Sequence, residues 1–250
     1  RKKCVSINSF NNSNVFRVLQ WNIWHGGRHV PIRGYERIIE LIGKSNADIV
    51  TMQEGYGFQA KIAEALNFNL QTSSSKDNLA LFSRYSLMKQ KTSDTFRSNP
   101  AIVILPGEKF LLVNDCWLSY SYRPDYTGSF SDIGHNTDVW VAEDSILPMA
   151  NMRDIVLKDI DYSINNKDMP VIIGGDFNSC SHLDWTKRTA SLHAGYGPVN
   201  FPTSRLLMEK GYKDSFRVIN PDELIRPEGT FAGIYGPVSY THLRAHETSA

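Results

Sequence analysis

Three features of this sequence predict an α/β fold of the α+β kind, with mixed β-sheets flanked by helices. Short apolar runs of strand length alternate with segments whose apolar residues recur at helical spacing. Some strands follow one another with no helix between them, as at 101–105 and 110–114, so the sheets cannot be wholly parallel. The chain has 250 residues, 41% of them hydrophobic and 21% charged. That is enough for one large core, and no second domain is required.

The elements follow in order. Val18 to Trp21 forms the first strand, and Tyr35 to Lys44 carries apolar residues at 35, 38, 39, 41 and 42, the period of a helix. Ala47 to Gln53 reads as a second strand, and Gly57 to Leu66 as a helix with Ile62, Ala63 and Leu66 inward. Strands are expected at 78–83, 101–105 and 110–114. Ile146 to Ile164 reads as the longest helix, with Pro148 acceptable only in its first turn. Val171, Ile172 and Ile173 suit a buried strand. Ser204 is expected to cap a short helix that Gly211 closes.

Three of these strands end in polar residues suited to one kind of chemistry. The segment Val171-Ile172-Ile173-Gly174-Gly175-Asp176-Phe177-Asn178-Ser179 presents a carboxylate and an amide two residues apart, on one side of an extended chain. Asp and Asn are also ordinary turn residues, so this segment alone leaves a plain Asx turn open. Trp21-Asn22-Ile23-Trp24-His25-Gly26-Gly27 ends a second strand, and Met52-Gln53-Glu54 a third. Strand ends that each carry an acid or amide are the pattern expected when strands converge on one site. Gly43-Lys44-Ser45 imitates the end of a phosphate-binding loop, but Ile38 stands where that motif needs glycine and the triplet closes a helix instead of opening one.

Through the WNIW, MQE and GGDFNS segments, in that order and separation, residues 16–236 resemble the endonuclease/exonuclease/phosphatase superfamily. Its members include deoxyribonucleases, abasic-site endonucleases, sphingomyelinases and inositol-polyphosphate phosphatases. The resemblance implies a four-layer sandwich of two packed mixed β-sheets with helices outside. It also implies a Mg²⁺-dependent hydrolase, with Mn²⁺ or Ca²⁺ as alternatives, in which water attacks a phosphoester and a phosphodiester is the preferred substrate. Hard cations prefer oxygen ligands. Carried over, Glu54 is the principal metal ligand and Asn22 a metal or phosphate contact. Asp176 orients or deprotonates the water, and Asn178 steadies the phosphoryl oxygens. A phosphate-binding pseudoenzyme and a sugar- or inositol-phosphate monoesterase are the alternative readings.

The chain also departs from the family pattern. Many members carry Asn-x-His-Leu at the end of a central strand, whereas Trp117 stands here where the histidine belongs. Indole cannot accept a proton. Trp117 is then a stacking surface for substrate or part of the core. Residues 119–145 are expected to form a long loop bearing Tyr120, Tyr122, Tyr126 and Trp140, with Arg123 and His135 nearby, and such loops often bind substrate. Arg153 matches a family arginine, and its plainer reading is a surface charge. After Gly229-Thr230-Phe231 the family continues into an Asp-bearing strand and a Ser-Asp-His motif, neither of which appears. Residues 238–250 look like the translation of a sequencing adapter. The expected division is therefore a disordered or processed segment at 1–15, an incomplete domain at 16–237 lacking its last strands, and a non-native tail at 238–250 that leaves this chain impaired.

Composition excludes little more. The formal net charge of +1 offers no broad basic field for nucleic acid, which stays a possible substrate that charge does not indicate. The three cysteines, Cys4, Cys116 and Cys180, lack metal-ligand spacing and can form at most one bridge. No apolar run is long enough to span a membrane. A monomer is expected. Location is open, with a secreted or periplasmic one favoured.

Overall fold

A computed structural model describes residues 15–30, 32–74, 76–120, 136–165, 168–193, 195–227, 232–233, 236–237 and 241–246. The first sheet contains β1 (Val18–Asn22), β2 (Ile49–Gln53), β3 (Asn69–Gln71) and β4 (Ala80–Ser83), in the order β1-β2-β4-β3. β1 runs parallel to β2 and the other pairs are antiparallel. The second sheet begins with β5 (Ser86–Lys89), β6 (Ser98–Leu105), β7 (Lys109–Trp117), β8 (Val171–Asp176) and β9 (Lys213–Asp214). A two-residue ribbon, β10 (Ala232–Gly233) with β11 (Gly236–Pro237), precedes β12 (Thr241–His246). The second sheet is ordered β5-β6-β7-β8-β12-β9, with β7 and β8 parallel and the rest antiparallel.

Strand alternation makes the layers. In β2, Ile49 points between the sheets with Leu81, Ala101, Val103, Leu111, Val113 and Ile172, while Val50 and Met52 point outward. The outward side of the first sheet is covered by α1 (Gly34–Ser45) and α2 (Gln59–Leu66), through Ile38, Ile42, Ile62 and Ala63. The outward side of the second packs Ile102, Leu112, Val171 and Ile173 against Met152, Val156, Leu157, Ile160 and Leu207. Helix, sheet, sheet and helix thus form the four expected layers, with both faces of the central strands buried.

Several local expectations need correction. The helix expected at 146–164 runs from Pro148 to Ile164, with Pro148 in its first turn as expected, and a separate helix precedes it. α3 (Thr137–Ile146) ends at Leu147, whose φ of −114° and ψ of −85° leave the helix, and Pro148 opens α4 (Pro148–Asn151) at its first position. A π-turn at Met152–Val156 then leads into α5 (Leu157–Ile164). α3 also takes over the end of the expected 119–145 loop. The Asn136 side chain caps it by accepting from Asp138 N at 2.9 Å, and Trp140 is buried against Trp185 and Tyr196. Ser204 is no cap, because α6 (Pro202–Glu209) starts two residues earlier, where Pro202 has its backbone already set for a helix. The Ser204 hydroxyl donates to Phe201 O at 3.1 Å. α7 (Ser215–Ile219) is capped by Asp214. The backbone of Thr241–His246 runs antiparallel beside β8 and pairs from Thr241↔Asp176 to His246↔Val171. Cys116 and Cys180 are both buried. Among the described residues, no helix is long and apolar enough to cross a membrane.

Candidate functional site

β1 and β2 are parallel and in register from Val18↔Ile49 to Asn22↔Gln53, so Asn22 and Glu54 leave the first sheet together. β8 ends at Asp176 in the facing sheet. The Asn22 amide joins all three, its Nδ2 donating to Glu54 Oε1 at 3.0 Å and to Asp176 Oδ2 at 2.9 Å. The Asn22 Oδ1 accepts from Trp24 N at 2.9 Å. In this arrangement Asn22 gathers two carboxylates as a donor, and its carbonyl oxygen accepts from the backbone.

The glycines of Gly174-Gly175-Asp176 explain how the sheets come this close. A Cβ at Gly174 would strike the Thr51 side chain across the interface, and one at Gly175 would strike the backbone of Cys116. The close approach at Gly174 is of sheet to sheet, and that at Gly175 is to the neighbouring strand of its own sheet. Behind the carboxylates lies a buried polar chain in which Gln20 Nε2 donates to Gln53 Oε1 at 2.6 Å, and Gln53 Nε2 to Asp115 Oδ1 at 2.6 Å. Asp115 Oδ2 accepts from Ala80 N at 2.9 Å, and the carboxylate also receives Met52 N. Burial holds the Asp115 carboxyl well above the usual carboxylate range, against the pull of those three hydrogen bonds.

Glu54 is held on both oxygens, for Oε2 accepts from His25 N at 2.9 Å and lies 3.5 Å from His25 Nε2. Its own N donates to Asn78 Oδ1 at 2.8 Å. His25 Nδ1 in turn faces His29 Nε2 at 2.9 Å. Neither histidine stood among the expected site residues. The signal for them was Gly26-Gly27, a pair placed to turn the chain sharply after Asn22, with φ of 68° and 72°. Backbone in the left-handed region also gathers here, at Trp24, His25, Glu54, Tyr56 and Asn178. Bulky side chains rarely adopt it, and such conformations cluster at working sites.

The remaining expected residues are distributed as follows. Asn178 lies two residues beyond Asp176, and its N donates to Asp176 Oδ1 at 3.1 Å. It is buried, and its Nδ2 donates to Leu118 O at 2.8 Å, an anchoring contact that ties the strand end down. Trp117 ends β7 directly across from Asp176, half-buried, with Phe96 and Tyr120 packed edge-on at 5.2 and 6.1 Å. Tyr120 is exposed. Arg153 lies in the π-turn and forms an exposed pair with Asp154 at 2.5 Å, the plainer of its two readings. Arg123 and His135 lie outside the described residues, as do Tyr122 and Tyr126.

Two carboxylates drawn to one amide form an oxygen-rich donor set that suits a hard divalent cation completed by water and substrate oxygens. Among the described residues, no group of three or more His, Cys, Asp or Glu is placed to hold an ion without such help.

Similarity to known proteins agrees with this geometry. Residues 19–239 match the profile of the Endonuclease/Exonuclease/phosphatase family. An uncharacterized protein of Caenorhabditis elegans, F14F9.5, is 27% identical over 247 residues, covering 92% of this chain and 74% of that protein. Among solved structures, an AP endonuclease from Archaeoglobus fulgidus superposes with a TM-score of 0.53 at 14% identity, covering 92% of this chain and 84% of the other. Truncated C. elegans TDP2 gives a TM-score of 0.52 at 16% identity, with coverage of 92% and 84%. At these identities the structures speak for the fold alone. The family profile spans most of the chain, and the protein is a member of the endonuclease/exonuclease/phosphatase family.

Proposed function

We propose that this protein hydrolyses a phosphodiester with the help of Mg²⁺ or a similar hard cation. The observation that carries the reading is the single Asn22 amide binding Glu54 and Asp176 together across two sheets. Two acids at the open ends of buried strands repel one another, and one neutral donor between them fixes their spacing. Glu54 supplies carboxylate oxygen to the cation, with Asp176 beside it. A bound cation supplies charge neutralisation at the phosphoryl oxygens and assistance to the leaving group.

The chain's own residues do the rest. His25 N and Asn78 fix Glu54 from two directions, so its oxygens need little reorganisation. Asp176, steadied by Asn178 N, orients the attacking water and accepts its proton in this reading. The test is hydrolysis of a bis-aryl against a mono-aryl phosphate by the full chain, with Mg²⁺ or with chelator. Diester cleavage that needs Mg²⁺ and disappears in Glu54→Ala supports the reading, and cleavage of the monoester alone would transfer it to a phosphomonoesterase. Phosphate binding without turnover would favour a pseudoenzyme.

A further inference from the structure

Trp24 sits two residues past Asn22 with 53% of its surface exposed. Its backbone is strained, at φ 47° and ψ 97°, and is held there by its N–H on the Asn22 side chain. A bulky residue gains nothing in the core from this placement. One face of the indole is covered by His29, at 3.7 Å between ring centroids and 19° between planes. His29 is itself braced by His25, and His25 by Tyr56, whose ring lies 6.2 Å away and two residues past Glu54. Arg28 staples the two turns, its Nη2 donating to Tyr56 O at 2.8 Å and its Nη1 to His25 O at 3.3 Å. An indole backed on one side, open on the other and anchored to the residue that gathers the two carboxylates forms a built surface.

We propose that Trp24, backed by His29, is a stacking platform for an unpaired nucleobase whose phosphate lies against Asn22 and Glu54, which makes the substrate a nucleic-acid strand. This rests on the phosphodiesterase reading and narrows its substrate class. A flat, nearly parallel pair of rings suits a planar partner. A quaternary ammonium group, as on a choline lipid, is better held by several rings standing around it. Here the neighbouring rings are only tilted, at 38° for Trp24 with His25 and 46° for His25 with Tyr56. Base stacking tolerates any sequence, because every base offers a flat π face.

The test compares binding of a thymidine tetramer with that of the same backbone carrying abasic sugars. Both are phosphorothioate-linked to slow cleavage, and binding to the full chain is measured calorimetrically in Mg²⁺. One stacked base is worth about 5- to 150-fold in affinity, and a preference of that size for the thymidine tetramer is expected. Trp24→Ala should collapse the ratio and Trp24→Phe should keep most of it, with both variants unfolding near the wild-type midpoint. Equal binding of the two tetramers, binding of neither, or Trp24-dependent binding of phosphocholine in place of thymidine would overturn the platform. Preferential binding without cleavage of the matching phosphodiester would leave the platform standing and sink the hydrolase reading. Equal cleavage of both diesters would do the reverse.

Discussion

Asp115→Leu should cost this protein a large share of its stability, while Asp115→Asn should be tolerated. The carboxylate receives Gln53 Nε2 and the main-chain N–H groups of Ala80 and Met52, all buried between the sheets. In the leucine variant the Gln53 amide can turn, but the two main-chain donors cannot. Each buried donor left without an acceptor costs about 1–3 kcal/mol, so the loss is about 2–6 kcal/mol. That is a substantial part of the ~5–15 kcal/mol that holds a typical domain folded. Asparagine keeps the shape and can be satisfied if the amide chain reverses. Its NH₂ would donate to Gln53 Oε1, and Gln53 Nε2 would then reach Gln20 Oε1, which is buried with no hydrogen bond of its own. Asp115 also stands two residues before Trp117, where the Asn-x-His-Leu pattern carries its asparagine. The sign of the pH dependence follows. Burial raises the folded carboxyl above its ordinary value of 3.8, so the unfolded chain releases this proton first. The Asp115 contribution is therefore intact below that value and falls as pH rises, by up to about 1.36 kcal/mol per pH unit until the folded group ionises. Urea unfolding followed by tryptophan fluorescence at pH 4 to 7 should show Asp115→Asn gaining on wild type as pH increases. A leucine variant within about 1 kcal/mol of wild type, or an asparagine variant as damaged as leucine, would refute the account.

Three further outcomes are expected. Glu54→Ala should lower Mg²⁺-dependent turnover by at least about a hundredfold with little change in unfolding midpoint, and a variant that keeps its rate would remove Glu54 from the metal site. Gly174→Ala should destabilise by about 1–3 kcal/mol through its collision with Thr51, and Thr51→Ala should recover much of that in a double-mutant cycle. Absence of coupling would mean that the strain is relieved elsewhere. Asp144→Ala should cost about 1–3 kcal/mol, because the buried carboxylate accepts both Thr203 N and Thr203 Oγ1 at 2.8 Å at the start of α6, and denaturant titration measures it directly.

Periodicity and strand-end chemistry determined a good deal by themselves. α1 and α2 lie where the 3.6-residue pattern put them, because one apolar stripe has one way to be buried. Asn22, Glu54 and Asp176 could be picked out because each lies at the end of a strand-length apolar run. The helix α3 was harder to see, since its Trp140 is buried against Trp185 and Tyr196, residues distant in the sequence. The partners of the site residues were not legible at all. Asn22 and Asp176 are 154 positions apart, and only the packing of two sheets makes one amide serve both acids. Tertiary structure likewise decided that Gly174 makes room for Thr51, that Gln53 and Asp115 form a polar layer behind the carboxylates, and that His25 closes on Glu54. A sequence records what each residue can donate, accept or bury, but hydrogen bonds within about 3 Å across two sheets exist only once distant strands are brought face to face.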